Sequence, residues 1–144
     1  MTYIQGFVIP VPVAKKDAYI ALAAKAAPMF REYGALRVVE CWGEDVRDGQ
    51  VTDFRRAVQA CPEENVVFSW IEWPDRATCD AAEKTMMEDE RMQPDGEMPF
   101  DGKRLIYAGF ARSSTPRHDR PAVPCLGIGD SRLSQAKAGA PFSC

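Results

Sequence analysis

Two stretches of the chain set a carboxylate close to an indole inside an apolar run. "RVVECWGEDV", residues 37–46, carries Glu40 and Trp42; "VVFSWIEWPD", residues 66–75, carries Trp70 and Glu72. A carboxylate against an aromatic wall loses hydration, and its pKa rises toward neutrality. Such a group can give and take a proton near physiological pH. Strand alternation puts Val38, Glu40 and Trp42 on one face, and Phe68, Trp70 and Glu72 on one face of a second strand. If the register allows, two acids and two indoles converge on one side of a sheet. Glu40 and Glu72 are thus the candidate acid–base residues. The competing reading is structural: either glutamate lies near a strand end, or pairs with Arg37, Arg55, Arg56 or Arg104 across the sheet or a dimer and fixes geometry.

A second cluster lies in "VTDFRRAVQA", where Arg55 and Arg56 follow Asp53. Adjacent arginines can clamp a carboxylate or phosphate on a ligand, or make salt bridges between subunits. Metal chemistry has little support. Glu88, Asp89 and Glu90 are consecutive, and consecutive helical residues do not face one another. The single histidine, His118, lies in the C-terminal stretch, so the body lacks the commonest zinc, copper and haem ligand. Cys41, with no histidine to activate it, reads as a small core residue. No glycine-rich phosphate loop or nucleophile-elbow motif occurs, and no cofactor is expected.

The elements that must position these groups follow from periodicity. Residues 3–13 alternate as a strand with apolar groups on both faces, and Pro10 and Pro12 mark its fraying end. Tyr19, Leu22, Ala26, Phe30 and Tyr33 form a helical stripe within residues 14–33, with Pro28 predicting a kink or break and Gly34 a left-handed stop. Residues 35–43 form a second strand. The connection 44–65 contains either a short helix or a strand extension. Residues 66–73 form the third strand, Asp75 caps a helix that fades by Met92, and residues 104–111 form the last strand. The order is β-α-β-β-α-β, an α+β ferredoxin-like arrangement with helices on one face of a four-stranded antiparallel sheet. Every strand is apolar on both faces, so the second face is expected to meet the sheet of an identical chain.

Composition narrows the partners. Residues 1–112 carry 14 basic and 19 acidic side chains, against 4 and 2 in the last 32. An acidic body repels phosphate backbones, so nucleic acid is not expected as a partner. Five cysteines with no paired spacing suggest neither a disulfide framework nor a zinc site, and the start does not read as a signal peptide. No apolar stretch is long enough to span a membrane, and the cytoplasm is the expected compartment. The domain is expected to cover residues 1–112. Residues 113–144, rich in Pro, Gly and Ser, read as a disordered tail.

The runs "AAPMFREYGALRVVECWGEDV", "VTDFRRAVQA", "ENVVFSWIEWPD" and "GEMPFDGKRLIYAGF" resemble the YbaA-like family of small bacterial proteins, from about Tyr3 to Phe110. The resemblance implies membership of the dimeric α/β-barrel superfamily, in which two ferredoxin-like chains pair their sheets. It implies no catalytic residues, because that family has no established reaction. The superfamily holds cofactor-independent monooxygenases, isomerases, haem-degrading enzymes and ligand-binding modules, and fold alone does not choose among them. Two functions remain as expectations. One is a homodimer that binds a small molecule between sheet and helices, with Trp42, Phe68, Trp70, Phe7 and Tyr107 as lining. The other is a cofactor-independent enzyme in which Glu40 or Glu72 moves the proton and Arg55 holds an anionic group.

Overall fold

A computed structural model describes residues 1–114. The expectations for the tail and for His118 therefore concern residues outside the described ones. Four strands, β1 (Tyr3–Pro12), β2 (Arg37–Trp42), β3 (Glu64–Trp73) and β4 (Ile106–Ala111), form one antiparallel sheet in the order β2-β3-β1-β4. Three helices, α1 (Lys16–Glu32), α2 (Phe54–Ala57) and α3 (Arg76–Glu88), fill the connections in the order β-α-β-β-α-β, with α2 an extra turn between β2 and β3. This is the ferredoxin-like α+β fold that the periodicity predicts.

β1 contains both of its prolines, and its pairing explains how. Val13 donates to the Glu63 carbonyl at 3.0 Å, so by alternation the odd residues of β1 donate toward β3 and the even ones face β4. The β4 pairing stops at Val8 opposite Ile106. Pro10 and Pro12 thus lack their N–H on the side where no strand needs it.

Of the kink or break expected at Pro28, no break occurs: helix α1 runs through it. Pro28 is exposed and close to the C-terminal end, so the ring costs one backbone bond and meets solvent. The helix stops as Gly34 predicts. Ala35 donates to the Phe30 carbonyl, Gly34 donates to Arg31, and Gly34 takes φ +108°. The undecided connection resolves into α2, capped by Asp53, whose carboxylate accepts from the Arg56 N–H at 2.7 Å. Asp75 caps α3 in the same way through the Thr78 N–H, also at 2.7 Å.

Register divides the side chains between two faces. Gln5, Phe7, Ile9 and Val11 of β1 lie with Ser69, Ile71 and Trp73 of β3 on the face the helices cover. Two core clusters form there. One joins Ile71 and Trp73 to Cys79 and Ala82 of α3; the other joins Ile9, Val11 and Val67 to Tyr19 of α1. Phe7 packs against both. The opposite face carries Ile4, Val8, Val39, Phe68, Trp70, Ile106 and Phe110. Phe68, Ile106 and Phe110 are 46%, 45% and 56% exposed there, and the Phe110 ring lies over Gly6. The second sheet face is therefore largely apolar, as the strand composition predicts, with Arg37 and Glu72 standing opposite each other on it.

Candidate functional site

The two acid–indole pairs do not converge. Glu40 stands opposite Ser69, whereas Glu72 stands opposite Arg37. A spacing of three from Ser69 to Glu72 puts those two on opposite faces, because the side-chain period is two. Glu40 and Trp42 consequently point to the helix side. Phe68, Trp70 and Glu72 point to the open side, so the predicted lining by Phe68 and Trp70 of a pocket under the helices is corrected. On that open face the Phe68 and Trp70 rings lie 5.6 Å apart, with a long 3.4 Å contact from the Trp70 Nε1 to Glu72. Neither glutamate makes a salt bridge within the chain among the described residues, although Glu72 stands directly opposite Arg37.

A cavity of about 750 Å³ lies between the helix side of the sheet, α1 and the segment 91–105. Its floor is Phe7, Ile9, Ser69 and Ile71; Glu40 stands on its wall. The stripe of α1, with Tyr19, Leu22, Ala26, Met29 and Phe30, forms a second wall. Met92, Pro94, Met98, Pro99, Phe100 and Leu105 roof it. The α1 stripe that periodicity assigned to the core thus faces an open space along much of its length.

One hydrogen-bonded polar pair stands on the wall of this largely apolar space. The Tyr19 hydroxyl donates to the Glu40 Oε2 at 2.7 Å. Burial, and then the bond to Glu40, push the Tyr19 phenol well above its usual range, so it keeps its proton. Sequence reasoning missed Tyr19 as a partner because the two residues sit on different elements, 21 positions apart. The other charged groups around the cavity are engaged elsewhere: Lys25 with Asp95, Lys15 with Glu97 at 3.3 Å, and Arg91 with Glu32 and Asp89, each at 2.8 Å.

The remaining expected residues fall outside the cavity. Trp42 packs against the second core cluster, with the Lys16 ammonium 5.1 Å from its ring centroid. Tyr107, on the exposed edge strand, stacks on Phe7 with centroids 5.9 Å apart. Arg55 donates to the carbonyls of Glu64 at 2.9 Å and Cys61 at 2.8 Å, holding the turn before β3. Arg104, expected to balance Glu40 or Glu72, instead makes a two-pronged pair with buried Glu64, at 2.6 and 2.8 Å. This pair and the Asp101–Arg104 contact at 3.0 Å anchor the far end of the roof to the sheet. Among the described residues no group of His, Cys, Asp and Glu is arranged to hold a metal ion, and no helix is long and apolar enough to cross a membrane.

The chain is similar to "Uncharacterized protein YbaA" of Escherichia coli (strain K12), with 63% identity over 111 residues, covering 76% of this chain and 95% of the relative. The protein of the same name from Shigella flexneri matches with the same identity and coverage. A family model described as "Protein of unknown function (DUF1428)" matches residues 2–102, which span every element except β4. With the ferredoxin-like sheet and this extent of match, the chain belongs to the DUF1428 family.

Proposed function

We propose that the protein is a cytoplasmic homodimer that binds a small molecule in the cavity between the sheet and α1. The observation that carries this reading is the cavity itself. Its 750 Å³ falls within the roughly 300–1,000 Å³ of small-molecule sites, and its lining is mostly apolar, with the Tyr19–Glu40 pair, Ser69 and a few charged side chains among it. Pairing through the open sheet face is supported by the exposed Phe68, Ile106 and Phe110, which a second sheet would remove from water. The cytoplasm is supported by Cys41, Cys61 and Cys79, which form no disulfide among the described residues.

Two measurements test this. Sedimentation at micromolar concentration is expected to give a dimer; a stable monomer defeats the pairing. A thermal-shift screen of apolar small molecules is expected to find stabilising ligands, and Ala26→Phe, which fills the cavity from α1, is expected to abolish the shift. A screen without hits, or hits indifferent to that variant, defeats the binding site. The enzyme reading keeps one supporting observation, the Tyr19–Glu40 bond on the cavity wall. In that reading Glu40 alone moves the proton, since Glu72 is on the other face.

A further inference from the structure

The charges around the cavity allow a statement about ligand class, which rests on the binding role proposed above. Lys25, Arg91 and Glu97 all line the cavity and each has an oppositely charged partner. Glu40 lines the same space and has no cationic partner among the described residues. Its Oε2 accepts from Tyr19, and its Oε1 takes no hydrogen bond from the described residues. The Tyr19 proton is already committed, so the polar pair offers a ligand acceptors and no further donor. The two cationic side chains of the lining, Lys25 and Arg91, are each paired with a carboxylate, so neither is left as a free charge for an incoming anion.

We propose that the cavity selects organic amines: a ligand with an apolar body, set against Phe7, Leu22 and Phe100, and an ammonium group donating to Glu40 Oε1. An ammonium here gains a charge-assisted bond and balances the unpaired carboxylate. A carboxylate ligand of the same shape meets like charge at Glu40, and the donors beside it in the lining, the Ser69 hydroxyl and the Gln93 amide, are neutral.

Three probes with one aromatic body separate the possibilities: 1-naphthylmethylamine, 1-naphthylmethanol and 1-naphthoate. Each is titrated calorimetrically into the full chain, and amide shifts at Tyr19, Glu40 and Ser69 locate the site. The amine is expected to bind roughly tenfold or more tighter than the alcohol, and the naphthoate more weakly than either. Glu40→Gln, which keeps an acceptor for Tyr19, is expected to erase the advantage of the amine over the alcohol. Tyr19→Phe is expected to retain the preference for the amine. Naphthoate binding as tightly as the amine overturns the proposal, as does an amine preference that survives Glu40→Gln. Should that variant fail to fold, the order of the three probes on the unmodified protein decides alone. If the neutral alcohol binds nowhere near Tyr19, the cavity is not a ligand site, and the amine preference falls with that broader reading.

Discussion

Replacing Glu64 with Gln tests whether the buried ion pair holds the roof to the sheet. Glu64 opens β3 and is 5% exposed. Its carboxylate accepts from two nitrogens of Arg104, at 2.6 and 2.8 Å, and from the Cys61 N–H at 2.7 Å. The Arg104 bonds, foremost, hold its pKa at about 2 against an ordinary 4.5, even though burial pulls the other way. A depressed folded-state pKa means that the ionised form stabilises the fold above pH 4.5 and that this stabilisation is lost as pH falls toward 2. The linkage is on the order of 3 kcal/mol at pH 7 and about 1.5 kcal/mol at pH 3. Urea melts of the original and Glu64→Gln proteins, at matched concentration from pH 7 to 3, measure the difference. The variant is expected to be less stable by about 3 kcal/mol at pH 7, with the gap roughly halving by pH 3. A gap that stays constant over that range refutes the reasoning, since the loss would then come from shape and not from charge.

Three further outcomes follow from local geometry. Gly34→Ala puts a Cβ 2.8 Å from the Thr78 Cγ2 at φ +108° and is expected to cost about 1–3 kcal/mol in a urea melt. Asp75→Ala removes the cap of α3 and is expected to cost about 1 kcal/mol, with helix loss visible by circular dichroism on the approach to the transition. Phe68→Arg together with Phe110→Lys places charge on the open sheet face; sedimentation is expected to show monomers at concentrations where the unmodified protein pairs. In the same double variant, cavity ligands are expected to bind with unchanged affinity, because both residues lie on the far side of the sheet.

Local patterns carried the sequence reading a long way. The α1 stripe, the Gly34 stop, the Asp75 cap and the two-sided strands each follow from spacing within one element, and each recurs in the structure. What spacing could not fix was the relation between elements. Glu40 and Glu72 look alike along the chain, but the β2–β3 register sets Glu40 against Ser69 and turns Glu72 to the other face. Tyr19 was legible only as a core position, because its bond to Glu40 needs α1 to cross that strand. The roof was invisible for another reason. Residues 93–105 have no period, and what fixes them is Arg104 reaching back 40 positions to Glu64. Pro28 does not end the helix, since a helix near its end and open to water tolerates a missing bond.

The two margins of the roof are fastened by different physics. Toward residue 100 it is seated by the Phe100 ring against Tyr19, by buried Pro99 and by the shielded Glu64–Arg104 pair. Toward residue 91 it is tied by Lys25–Asp95, Lys15–Glu97 and Arg91–Glu32, all in contact with water. Dissolved ions weaken the wet ties and hardly touch the dry ones. Entry into the cavity should therefore quicken as ionic strength rises, while the melting temperature, set by the sheet core, stays nearly still. An opening that responds to brine and a body that does not can be told apart by following ligand association rates and thermal unfolding in the same salt series.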